Sequence, residues 1–161
     1  MAVTADNSWP DGVGRRGGDS TIMIIKKTIL CVDDQEQSLS IRKLMLETRG
    51  YRVIVCTTGA EATEIFRRGG IDLVLTDLIM PGMDGDELAR HVKQVSPETP
   101  VILFSGKVMG YDQNTQADVF LPKGMYAPVE LLERIRMLLI RKREPKRVAR
   151  VELPASERST G

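Results

Sequence analysis

Between Thr28 and Arg143, five short apolar runs alternate with stretches of helical periodicity. Runs of that length, bounded by turn signals, suit strands buried on both faces. Repeated strand–helix units imply a parallel sheet covered by helices on both sides. The predicted strands are Thr28–Val32, Tyr51–Val55, the run from Leu73 to Leu75 that delivers Asp77, Val101–Phe104 and Val119–Leu121.

The helices follow from spacing. The first runs from about Glu36 to Arg49, with Ile41, Leu44, Met45 and Thr48 on one face and Gly50 as its C′ residue. The second follows Thr58-Gly59, carries Ala62, Ile65 and Phe66 on one side, and stops at Gly69-Gly70. Asp84 and Glu87 form a capping pair for a third helix, Asp86 to Val95. That helix buries Leu88, Ala89, Val92 and Val95, and Pro97 stops it. Residues 107–117 are polar and weakly patterned, which predicts a short or frayed helix. Pro128 fits the first turn of a last helix, striped by Leu131, Leu132, Ile135, Leu138 and Leu139. Arg141, Lys142 and Arg143 suit the negative end of its dipole.

Composition narrows the function classes. Lys and Arg number 23 against 22 Asp and Glu, so the strong basic excess of a dedicated nucleic-acid binder is missing. Aromatics at 4% argue against a stacking platform for single strands. Cys31 and Cys56 lie in or beside apolar runs with no CxxC partner, as buried free thiols do in a reducing compartment. No apolar run approaches the roughly 20 residues that cross a bilayer. A soluble cytoplasmic chain without membrane partners is expected. Residues 1–22 are expected to be a disordered extension, 23–143 the domain, and 144–161 a flexible charged tail too short for a second domain.

Parallel strands bring their carboxyl ends to one edge, where α/β proteins bind ligands. Here those ends carry Asp33-Asp34, Asp77, Ser105-Gly106 and Leu121-Pro122-Lys123. Three crowded carboxylates repel one another and call for protonation or a bound cation. All-oxygen ligation with few protein ligands suits Mg²⁺. A lysine and a hydroxyl opposite the acids suit a phosphoryl group, the ammonium balancing charge and the hydroxyl donating to an oxygen.

These residues resemble the receiver domain of bacterial two-component response regulators, over about residues 26–143. The motifs that carry the resemblance are Ile29-Leu30-Cys31-Val32-Asp33-Asp34, the stretch from Asp77 through Met80-Pro81-Gly82-Met83-Asp84-Gly85, Ser105, and Phe120-Leu121-Pro122-Lys123. The resemblance implies a doubly wound α/β fold of the flavodoxin/CheY-like kind, a five-stranded parallel sheet of order 2-1-3-4-5 with a shortened fourth helix. It implies a stand-alone, non-enzymatic signalling module of a phosphorelay. Asp77 would be the phosphoacceptor, and Asp33 and Asp34 would hold Mg²⁺ with Asp77 and the main-chain carbonyl of Ile79. Ser105 would bind the phosphoryl group and move toward it, Lys123 would pair with it, and Phe120 would be the aromatic that changes rotamer. The implied partners are a histidine kinase or phosphotransfer protein and a separate downstream protein.

The sequence departs from the family at four points. Gly124 stands where the family most often has a cis proline, and Phe120 lacks a tyrosine hydroxyl. Ile79 is apolar where many members are polar, and the interval from Ser105 to Lys123 is about one helical turn short. The alternative is a receiver-like interaction module that works without phosphate. An aspartate-nucleophile phosphohydrolase fits poorly, because Ile79 replaces the second acid of its Asp-x-Asp motif. The basic run from Arg141 to Arg150 reads as a solvated helix end, since no helix-turn-helix follows.

Overall fold

β1 (Thr28–Val32) is buried along its whole length. Its neighbours on either side are β2 (Arg52–Cys56) and β3 (Leu73–Asp77), both parallel to it. β4 (Val101–Ser105) and β5 (Val119–Pro122) extend the sheet, giving the order β2-β1-β3-β4-β5. This computed structural model describes residues 25–106, 115–124 and 126–143. The expected N-terminal extension up to residue 22 and the tail 144–161 lie outside the described residues.

Side-chain alternation along each strand splits the core in two. Ile29, Cys31, Leu73, Leu75, Ile102 and Phe104 face α1 (Glu36–Glu47) and α4 (Pro128–Arg143). Leu30, Val32, Val74 and Val101 face α2 (Gly59–Arg67) and α3 (Gly85–Val95). The doubly wound expectation holds, with helices on both faces. The stripe of Leu131, Leu132, Ile135, Leu138 and Leu139 is buried as predicted.

Gly50 ends α1 in a Schellman arrangement: Tyr51 N donates to Leu46 O and Gly50 N to Glu47 O, with Gly50 at φ +93°. The predicted face of α1, however, holds only at Met45, which packs partly buried against the core. Ile41 and Leu44 are 69% and 66% exposed, while Leu39, Arg42 and Leu46 face the sheet. The exit from β1 sets this rotation: Gln35 N is held by Asp33 Oδ1, and Leu39 N by Gln35 O. Val95 is exposed too, because it is the last residue of α3 and the chain turns away at Ser96. Of the helix predicted over 107–117, the described end at 115–117 is not helical. There Thr115 Oγ1 donates to Asp86 Oδ1 at 2.7 Å and accepts from Ala117 N. The remainder lies outside the described residues.

Candidate functional site

The register fixes what meets at the carboxyl edge. Val32 pairs with Thr76, Asp77 with Phe104, and Ser105 with Pro122. Asp33, Asp77, Ser105 and Lys123 therefore leave the sheet at one level. One carboxylate oxygen from each of Asp33, Asp34 and Asp77 lies within 4.8 Å of the others.

Asp33 is fully buried. Its Oδ1 accepts from Gln35 N at 2.9 Å. Its Oδ2 has no hydrogen-bond partner among the described residues, and faces Arg42 Nη1 at 3.5 Å and Lys123 Nζ at 3.6 Å. Asp34 is exposed at the mouth. Asp77 is buried, with Lys123 Nζ 3.3 Å from its Oδ2. Burial pushes the Asp77 carboxyl up, the Lys123 ammonium pulls it down, and the charges of Asp33 and Asp34 push it up again. Among the described residues, two cations, Arg42 and Lys123, face these three carboxylates, so that set is net negative.

The loop after β3 is built around close approach. Leu78 N donates to Phe104 O at 2.7 Å, and Gly85 N returns to Leu78 O at 2.8 Å. A Cβ on Gly85 would collide with the Asp77 carbonyl, the Leu78 backbone and the Leu103 side chain, so only glycine lets the loop close. Gly82 turns the loop at φ +79°. Asp84 then caps α3, its Oδ1 accepting from Glu87 N at 2.9 Å, as the sequence predicts.

Ser105 is fully buried at the end of β4, and its carbonyl accepts from Lys123 N at 2.6 Å. This bond ties the hydroxyl-bearing strand to the lysine. Ile79, two residues past Asp77, is 56% exposed. Phe120 lies further back along β5, half-buried, with Leu103 opposite it in register. Every described peptide bond is trans, that between Lys123 and Gly124 included, and Gly124 sits at φ +76°.

A hard divalent cation fits this donor set. The three acids supply oxygen only, and the buried, unbonded Asp33 Oδ2 is the kind of orphan that a cation satisfies. The sequence missed Arg42. The available signal was a charged residue in phase with Leu39 and Leu46 on the helix face that packs inward.

A five-stranded 2-1-3-4-5 sheet with an acid trio and a lysine at its carboxyl edge defines a receiver module. The chain belongs to the response regulator receiver domain family, whose family model matches residues 29–136. It is 35% identical over 117 residues to the uncharacterized transcriptional regulatory protein YkoG of Bacillus subtilis, covering 71% of this chain and 51% of that one. It is 34% identical over 121 residues to the response regulator GtcR of Aneurinibacillus migulanus, covering 73% of this chain and 49% of that one. The chain thus spans about half the length of these relatives. Among solved structures, the response regulator TrrA of Thermotoga maritima, in complex with Mg²⁺-BeF, matches at 30% identity and a TM-score of 0.66, covering 70% of this chain and 98% of that one. A response regulator receiver protein from Sinorhizobium medicae matches at 26% identity and a TM-score of 0.68, covering 73% and 97%. No described helix is long and apolar enough to cross a membrane.

Proposed function

We propose that this receiver domain accepts a phosphoryl group on Asp77 from a histidine kinase or phosphotransfer protein, with Mg²⁺ as the required cation. The observation that carries the proposal is the Lys123 ammonium 3.3 Å from Asp77 Oδ2, beside the carboxylates of Asp33 and Asp34. An Asp77 oxygen attacks phosphorus, a P–O bond forms, and the P–N bond to the donor imidazole breaks with its electron pair going to nitrogen. Asp33, Asp34, Asp77 and the Ile79 carbonyl would hold the ion. When bound, it neutralises the trio and the incoming phosphoryl oxygens. Lys123 pairs with the phosphoryl group, and the Ser105 hydroxyl donates to one of its oxygens. Drawing Ser105 and Lys123 inward, with Phe120 following, would pass the signal to a downstream protein. TrrA supports the choice of cation, since its structure is named as a complex with Mg²⁺-BeF. Residues 23–143 form the working unit in this proposal, in a cytoplasmic setting.

The test is intact mass after incubation with Mg²⁺ and a small acyl-phosphate donor. A gain of one phosphoryl group is expected. A gain that persists in Asp77→Ala, or in excess chelator, overturns the assignment.

A further inference from the structure

Arg42 is only 9% exposed, and a guanidinium that buried must have a partner. It projects from α1 toward Asp33. Its Nη1 lies 3.5 Å from Asp33 Oδ2, and neither atom has a hydrogen bond among the described residues. Its Cζ lies 4.5 Å from the centroid of the Phe104 ring. That ring in turn stacks on Tyr126 at 5.4 Å between centroids. The charge is therefore held between a carboxylate of the pocket and an aromatic face just before Ser105, with the Tyr126 hydroxyl as a further hydrogen-bond partner of the guanidinium.

Two features separate this from simple core filling. A leucine or methionine would fill the same space without desolvating a charge, and such replacements are often neutral or stabilising. The contact with Asp33 is also loose. Charge-assisted N–H···O bonds close to about 2.7–2.9 Å, well inside the spacing here. The guanidinium faces Asp33 without being locked to it. The Phe104 ring gives it a place to remain if Asp33 is engaged elsewhere. Its charge is permanent, since arginine does not shed its proton in proteins.

We propose that Arg42 is the resident counter-cation of the acidic pocket: a positioning residue that holds Asp33 Oδ2 in the metal-free chain and competes with a divalent ion for that oxygen. This rests on the assignment of Asp33, Asp34 and Asp77 as the cation site. Lys123 also faces Asp33 Oδ2, but it is shared with Asp77. Arg42 thus sets how tightly the ion binds. Through Phe104 and Tyr126 it also reports ion binding to the segment that leads into α4.

The direction of the effect makes the proposal testable, because damage to the fold would weaken ion binding. Calorimetric titration of the full chain with MgCl₂ at fixed salt is expected to show Arg42→Met binding Mg²⁺ roughly tenfold more tightly, the scale of one removed charge at a screened site. Arg42→Lys, which keeps the charge, stays near the parent. In the unaltered chain, the Arg42 guanidinium and Tyr126 ring resonances should shift during a Mg²⁺ titration, with the calorimetric midpoint. This measurement stands even if Arg42→Met does not fold. If the parent binds Mg²⁺ and Asp34→Asn abolishes that binding, the cation site is upheld. Equal or weaker binding by Arg42→Met, or stationary Arg42 resonances, then overturns the role of Arg42 alone. A parent chain that binds no Mg²⁺ overturns both.

Discussion

The ammonium of Lys123 lies 3.3 Å from Oδ2 of Asp77, supplying charge to a carboxylate that burial pushes toward its neutral form. A raised carboxyl in the folded chain holds its proton where an unfolded one, with a pKa of about 3.9, has lost it. The folded state then binds more protons, so metal-free stability falls as pH rises through the folded pKa and levels off above it. Asp77→Asn has no such titration. In excess chelator its thermal midpoint should exceed that of the parent by a margin that is small near pH ~4 and grows to a few degrees at neutral pH. A margin independent of pH would count against this account.

Ile79 governs lifetime in a second prediction. Aspartyl phosphate is lost when water reaches phosphorus in line, and a side chain that orients this water speeds the loss. Ile79, two residues past Asp77, stands exposed, and its side chain cannot hydrogen-bond to water. Ile79→Asn should shorten the phosphorylated lifetime several-fold, as followed by mass spectrometry after donor removal. An unchanged or longer lifetime sinks the idea.

Gly85 is the third test. Gly85→Ala forces a methyl group against the Asp77 carbonyl and the Leu103 side chain, a backbone collision that cannot relax cheaply. Overpacking of this kind costs about 1–3 kcal/mol, and here it also displaces Asp77. Denaturant titration should show that loss, with weakened Mg²⁺ binding. Gly106→Ala meets open space and should stay within about 0.5 kcal/mol of the parent. Equal effects from the two changes would refute the close-approach argument.

The fourth prediction separates the two faces of α1. Leu46 is fully buried, so Leu46→Ala should cost about 2–5 kcal/mol. Leu44→Ser, on the exposed face, should change stability by no more than about 0.5 kcal/mol. Urea midpoints of the two variants check this, and a larger loss from Leu44→Ser would restore the face predicted from spacing.

That face shows where the sequence stopped being legible. The strands were readable because β1, β3 and β4 are buried on both sides, which leaves unbroken apolar runs. The carboxyl-edge residues were readable because parallel pairing gathers strand ends whatever the helices do. Gly50 was readable because few residues tolerate its positive φ. Helix α1 carries two competing stripes. Ile41, Leu44, Met45 and Thr48 make the better apolar pattern, but tertiary contacts bury Leu39, Arg42 and Leu46 and keep only Met45 of the predicted face against the core. Periodicity alone scores an arginine as solvent-facing, so it concealed both the rotation of the helix and the cation beneath Asp33. Asp33 on one side and the Phe104 ring on the other explain why a charge is tolerated there.

The placing of two side-chain cations against Asp33 Oδ2 has a consequence for how such a chain survives shortage. Small metal domains whose ligands repel one another unfold when the ion is withdrawn. Here Arg42 and Lys123 offset much of that repulsion from within the chain. Under the proposed Mg²⁺ requirement, starving the protein of magnesium should therefore silence it while leaving it folded, a reserve that answers again once the ion returns, with no new synthesis needed.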